Sequence, residues 1–311
     1  MAKNNNLHVA KATKNDEFYT RLEDIENELK FYKEHFKDKV VYCNCDGFLN
    51  ESRSNFFVYF SLNYEFLGLK GLICTKYNPN GKGKKYEYYG DLNGNNYPDE
   101  EEIFTSDLDG DGDFRSEECV ELLKKCDIVC TNPPFSLFRE YVTQLMNYNK
   151  QFLIIGNMNA ITYKEIFPLI KENKMWLGIS LNGTKCSFIV NEEYEGKNTF
   201  YENGIKYGKV NNAIWFTNLD HKKRHEELLL YKKYNADEYP KYDNYNAIEV
   251  SKVAGIPCDY DGIMGIPITF LTKYNPKQFK IIKFRKGDDD KDLSVNGKCP
   301  YFRILIKRNN I

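Results

Sequence analysis

Apolar positions along this chain follow two periods. Leu22, Ile25, Leu29, Tyr32 and Phe36 recur at helical spacing and predict a helix over residues 22–36. Short apolar runs at residues 40–43, 69–74, 128–130 and 152–155 have the length of buried strands. Helical patterns at 54–67, 117–124, 136–146 and 163–173 are interleaved with them, and 176–179, 188–190 and 213–216 read as later strands closing the same sheet. Strands alternating with helices predict an α/β fold with a Rossmann-like, doubly wound sheet. Residues 77–112, rich in Gly, Asn and Asp, read as a surface excursion. From Asp220 onward the rhythm gives way to a Lys/Tyr/Asn-rich stretch. The expected division is a main domain over 1–220 and a smaller C-terminal region over 221–311.

The third of those apolar runs carries the chemistry. It ends in Asn132-Pro133-Pro134-Phe135. Each proline fixes its own φ and holds the preceding residue extended, so the backbone just beyond the strand is stiff. Ligands of open α/β sheets bind at the carboxyl ends of the strands. There the Asn132 side-chain oxygen and the Pro133 carbonyl can both accept hydrogen bonds from one exocyclic amino group, freeing its lone pair to attack an electrophilic methyl. Phe135 offers a flat face for a base, a stack worth roughly 1–3 kcal/mol. The plain alternative is a proline-rich turn with Asn132 capping the next helix.

The order of the other motifs resembles the EcoRI-type family of adenine-specific DNA methyltransferases. Asn15-Asp16-Glu17-Phe18-Tyr19-Thr20 resembles the family's N-terminal box, 39–46 its first cofactor strand, and Asp113-Phe114 its third cofactor motif. Further matches at 152–157, 215–219 and 265–271 carry the resemblance from about Asn15 to the C-terminal tail. It implies S-adenosylmethionine as cofactor, duplex DNA as partner, and an adenine flipped out of the helix to reach Asn132. A cognate restriction endonuclease acting on the same site is a candidate partner.

The implied catalytic residues are Asn132, Pro133, Pro134 and Phe135. Those implied for the cofactor are Tyr19 and Thr20 at its methionine end, Asn44 and Asp46 in the turn after the first strand, and Asp113 and Phe114 around its adenine. Asn157 is a weaker candidate, and Trp215 or Phe216 could close the pocket. The first turn, Cys43-Asn44-Cys45-Asp46-Gly47, lacks the usual Gly-x-Gly. Cys74-Thr75-Lys76, ending the second strand, lacks the acid that many relatives place on the ribose. Two alternatives therefore stand beside the reading. Methylation of a protein glutamine amide would suit the same tetrapeptide, and a catalytically silent DNA-binding protein would tolerate the irregular cofactor motifs.

Composition changes the picture in two places. The net charge of −1 over 311 residues does not announce a nucleic-acid binder, but the distribution does more. Acid gathers between Asp99 and Glu121, and base gathers late: Lys222, Lys223 and Arg224, then Lys273, Lys277, Lys280, Lys283, Arg285 and Lys286, then Arg303, Lys307 and Arg308. Acids are absent from 273–286 and aromatics are interleaved, which places phosphate contacts on the C-terminal part. Nine cysteines form no closely spaced framework, as in a reducing compartment. No apolar run reaches membrane-spanning length and no signal-peptide pattern is present, so a soluble, cytoplasmic protein is expected.

Asp107-x-Asp109-x-Asp111-Gly112 with Glu118 satisfies the calcium-loop pattern, and Asp91-x-Asn93-x-Asn95 with Glu102 is a weaker echo. Little room for an entering helix at 104–106, and the claim of the cofactor on Asp113-Phe114, argue against the first. His221 and His225 sit at i, i+4 inside a basic run without cysteine ligands. No metal is expected.

Overall fold

The computed structural model describes residues 18–45, 53–182, 186–196 and 198–309. Two compact units are present, Met1–Ala160 with Gly178–Leu219, and Ile161–Leu177 with Asp220–Ile311.

The first unit begins with α1 (Leu22–Leu29) and α2 (Lys33–Phe36), which replace the single predicted helix. Short hydrogen bonds from Phe31 to Glu28 and from Tyr32 to Leu29 tighten the end of α1 and turn the chain. The apolar spacing continues across this break because Tyr32 and Phe36 remain buried on the same core. After β1 (Val40–Cys43), α3 (Asn55–Leu62) starts at Ser54, whose hydroxyl accepts from the Phe57 N–H and caps the helix. Then come α4 (Tyr64–Leu67), β2 (Gly71–Lys76), β3 (Lys84–Tyr88), β4 (Phe104–Asp107), α5 (Glu117–Lys125), β5 (Ile128–Thr131), α6 (Phe138–Asn147) and β6 (Gln151–Asn157). α7 (Phe167–Lys171) falls in the second unit, and β7 (Trp176–Asn182), β8 (Cys186–Ile189), β9 (Thr199–Glu202), β10 (Ile205–Val210) and β11 (Ala213–Thr217) follow.

The main sheet has eight strands in the order β4-β3-β2-β1-β5-β6-β11-β7. β1 is parallel to β2 and β5, and β5 to β6, so these four strands share one carboxyl edge. Strand order reverses between β1 and β5, and that switch point is where an open α/β sheet makes its crevice. β11 runs antiparallel to β6, a departure from a purely parallel winding.

Two expectations are corrected here. The 77–112 excursion contains β3 and β4, which extend the sheet antiparallel from β2. The polar sequences Lys84-Lys85-Tyr86-Glu87-Tyr88 and Phe104-Thr105-Ser106-Asp107 carry little apolar signal, and β4, fully exposed, forms the sheet edge. The strand at 186–189 does not close the main sheet but pairs with β10 in a separate three-stranded sheet, β8-β10-β9.

The second unit carries the sheet β12-β13-β15-β14, made of β12 (Ile248–Glu249), β13 (Met264–Pro267), β14 (Phe279–Phe284) and β15 (Arg303–Arg308). Its only α-helix among the described residues is α7, which explains the missing βα rhythm. All nine cysteines are free thiols. Among the described residues no helix is long and apolar enough to cross a membrane.

Candidate active site

The switch point is built by strand ends that side chains lock together. β5 is buried along its whole length, and its last residue, Thr131, donates its hydroxyl to the Asn44 carbonyl just past β1. The Tyr141 hydroxyl, from the middle of α6, donates to Asn44 Oδ1. Asn44 is buried, so both bonds form away from water and fix the two loops to one another.

Asn132 follows immediately and is itself buried. Its Nδ2 donates to the Phe18 carbonyl at 2.6 Å. A backbone carbonyl can only accept, so this bond decides the amide's orientation: nitrogen toward the Phe18 carbonyl, Oδ1 turned away from it. Neither Oδ1 nor the Pro133 carbonyl accepts a hydrogen bond among the described residues. Two acceptors on consecutive residues of a proline-stiffened turn are what an amino group needs.

Phe18 is held in turn. Tyr19 makes a two-way backbone bridge with Ile189, both bonds 2.9 Å. Asn55 Nδ2 donates to the Thr20 carbonyl at 2.8 Å. The Phe18 ring lies 5.6 Å from Phe135, 5.8 Å from Phe188 and 5.7 Å from Tyr194. The result is an aromatic cluster around the tetrapeptide, of which sequence reasoning singled out Phe135 alone. Phe188 and Tyr194 lie far away in sequence, and only the pairing of Tyr19 with β8 brings that segment in. Trp215 and Phe216, considered as pocket-closing residues, are fully buried sheet core, packed on Phe56 and Phe138 respectively.

On the cofactor side, Asp113 and Phe114 precede α5. Arg115 grips both Asp113 oxygens, at 2.8 Å from Nε and 2.6 Å from Nη2. This bidentate hydrogen bonding holds the Asp113 carboxyl below the usual carboxylate range. Phe114 packs edge-on against Tyr141, with centroids 5.0 Å apart, and its carbonyl accepts from Gln144 Nε2. A continuous chain of contacts thus runs from Asn132 and Thr131 through Asn44 and Tyr141 to Phe114.

Thr20 bears on whether these residues suit a small polar ligand. It is 1% exposed, and its hydroxyl has no partner among the described residues. A buried hydroxyl left unpaired costs about 1–3 kcal/mol, so the site is poised for a group that would satisfy it. Asn157 is committed elsewhere, accepting from the Asn159 N–H and donating toward the Asn211 carbonyl. Asp46, like Asn15, Asp16 and Glu17, lies outside the described residues.

Comparison with known proteins places this geometry in context. Residues 6–309 match the family described as adenine-specific methyltransferase EcoRI. The chain is 55% identical to the Type II methyltransferase M.EcoRI of Escherichia coli, the match covering 100% of this chain and 98% of that protein. It is 38% identical to the Type II methyltransferase M.MgeORF184P of Mycoplasma genitalium and 38% identical to M.MpnI of Mycoplasma pneumoniae. Each of those matches covers 97% of this chain and 98% of the relative. No solved structure matches it significantly.

Proposed function

The chain belongs to the EcoRI family of adenine-specific methyltransferases, and from that premise we propose a division of labour for its residues on DNA. The protein is a DNA adenine methyltransferase of the restriction-modification type. The observation that carries the catalytic assignment is the Asn132–Phe18 hydrogen bond, which leaves Oδ1 and the Pro133 carbonyl as paired acceptors.

A flipped adenine presents its N6 amino group to those two acceptors, and two hydrogen bonds draw the nitrogen toward tetrahedral geometry. Its lone pair then points at the methyl donor. The aromatic cluster of Phe135, Phe18, Phe188 and Tyr194 supplies apolar faces for the base. No strong general base is needed, since the amino proton leaves after the new N–C bond has formed. S-adenosylmethionine is the cofactor that supplies, when bound, a methyl activated by a sulfonium centre. Thr20 Oγ1, Asp113 and Phe114 would hold it, and the orphaned Thr20 hydroxyl is the feature that fits such a ligand.

The direct test is transfer of labelled methyl from S-adenosylmethionine to mixed-sequence duplex DNA, with product nucleosides identified by mass. N6-methyldeoxyadenosine is the expected product. Label appearing in protein amides and not in DNA would overturn the assignment. We further assign a cognate endonuclease cutting the same sequence as partner, which methylation of that sequence would block.

Phosphate contacts fall to the second unit, but to fewer residues than its basic composition suggests. Arg303 is spent on Glu249 at 2.7 Å, and Arg285 and Lys286 on Asp292, each at 2.9 Å. The interleaved aromatics Tyr274 and Phe279 are buried core and not available for reading bases. Lys280 and Lys307 differ. They stand directly opposite one another on β14 and β15, both exposed, with no acidic partner among the described residues. Like charges facing across a ladder repel unless an anion lies between them. Lys280→Ala with Lys307→Ala should therefore weaken DNA binding at every sequence and flatten its salt dependence by roughly 2 in log–log slope, about 0.9 per phosphate lost. An unchanged slope would remove these lysines from the interface.

A further inference from the structure

We propose that the 91–102 loop, between β3 and β4, is a binding site for a hard divalent cation of the calcium class. Read along the chain, Asp91, Asn93, Asn95, Asp99 and Glu102 occupy the first, third, fifth, ninth and twelfth positions of an EF-hand-type loop. The seventh position of such a loop contributes a backbone carbonyl, here that of Tyr97. The sixth is normally glycine because the chain turns sharply there. Here it is Asn96, in the same left-handed conformation at φ 59°, which asparagine tolerates.

Loop shape alone would make only an acidic turn. The deciding observation is Glu102. This residue is 2% exposed, and its Oε1 accepts from the Leu92 and Asn93 N–H groups at 2.6 and 3.1 Å, which aims the carboxylate into the loop. Its Oε2 is buried with no hydrogen-bond partner among the described residues. Asp91 already accepts from the Gly94, Asn95 and Asn96 N–H groups. Arg53 reaches the loop but donates to the Pro98 carbonyl, not to a carboxylate. A buried carboxylate oxygen with no donor beside it, in a loop that also carries Asp91 and Asp99, needs something positive next to it.

No group of three or more His, Cys, Asp and Glu side chains among the described residues forms a metal cluster. The oxygen set here is instead mixed, carboxylates with Asn amide oxygens and a backbone carbonyl, and that is the donor chemistry calcium takes. The downstream 107–118 loop matches the sequence pattern better, yet its Glu118 accepts from the Asp109 N–H and no buried oxygen there is orphaned.

The test is calorimetric titration of calcium into chelator-treated full-length protein, with melting temperature followed in parallel. Wild type should take up one equivalent and melt higher. Glu102→Gln and Asp91→Asn should each weaken that uptake by more than the ~10–100-fold typical of losing an outer-shell partner. Glu118→Gln should leave it unchanged. Circular dichroism establishes that each variant is folded. Absence of uptake by folded wild type would overturn the proposal, as would uptake that Glu118→Gln abolishes and Glu102→Gln does not. A Glu102→Gln protein that melts higher than wild type in chelator and ignores calcium, while wild type also ignores it, would show a shared proton in place of the cation and sink the proposal equally.

Discussion

Replacing Asn132 by alanine should lower methyl transfer by about 10³-fold or more while leaving cofactor affinity within about twofold. The magnitude follows from what is lost. Asn132 Oδ1 is one of two acceptors that strengthen their hold as positive charge develops on the attacking nitrogen, and removal of one such preorganised group typically costs about 10²–10³ in rate. Asn132 also carries the bond to the Phe18 carbonyl, so alanine loosens the N-terminal box on which the aromatic cluster rests. Both losses fall on the reacting group; Asp113 and Phe114 stand outside the loosened segment, and Thr20 keeps its own tie through the Asn55 amide. Asn132→Asp separates the two roles. A carboxylate can still accept from the amino group, but its second oxygen would face the Phe18 carbonyl and be repelled, so its activity should lie between wild type and alanine. Single-turnover rates with saturating DNA, beside calorimetric cofactor binding, make the measurement. Turnover by the alanine variant within tenfold of wild type would mean that Pro133 alone activates the nitrogen.

How much of this was legible before the structure depends on the range of each interaction. The tetrapeptide declared itself because proline geometry is local: Pro133 and Pro134 stiffen the turn wherever it sits. The parallel core strands were legible for a related reason. Buried on both faces, they read as unbroken apolar runs such as Ile128-Val129-Cys130. The strands β3 and edge strand β4 were not, because lysines in the one and full exposure of the other erase the alternation that would mark them. Long-range partners were invisible in principle. Phe18 is separated from Asn132 by more than a hundred residues, and nothing in either segment names the other. Asn44 shows a subtler limit. The resemblance assigns it to the cofactor, whereas its Oδ1 and carbonyl brace β5 and α6, so any contact to a ligand must use its remaining groups. The late basic run likewise mixed residues of two kinds. Strand register, which sequence does not fix, separates the paired Arg303 from the unpaired Lys307.

Glu28 was missed altogether, and it supports the second large prediction. One of three glutamates in an amphipathic helix reads as solvated, yet this one is fully buried. Its Oε1 accepts from the Tyr32 hydroxyl and the Ile179 N–H, both at 2.8 Å, and its Oε2 from the Ser180 N–H at 2.6 Å. The carboxylate thereby takes two N–H groups from the middle of β7 and pins α1 to the sheet. The fit leaves no slack at Gly178, where an added Cβ would stand 2.3 Å from Glu28 Oε1 and 2.5 Å from the Trp215 Cβ. Glu28→Ala removes the buried acceptor shared by two backbone donors and a phenol, each bond worth about 1–3 kcal/mol. The expected loss of stability is about 3–5 kcal/mol. Glu28→Gln should be only partly protective, because its amide nitrogen must face one of the same donors. Urea unfolding of the three proteins reads the difference directly, and a loss below about 1 kcal/mol would mean that water replaces the carboxylate without penalty. The consequence reaches the chemistry as well. α1 begins three residues after Tyr19, so freeing it from β7 frees the segment that presents the Phe18 carbonyl to Asn132. Glu28→Ala should therefore lose methyl transfer at temperatures where circular dichroism still reports a folded protein, and Asn132→Ala should lower it further, since it deletes the Oδ1 acceptor that Glu28→Ala only leaves less firmly oriented.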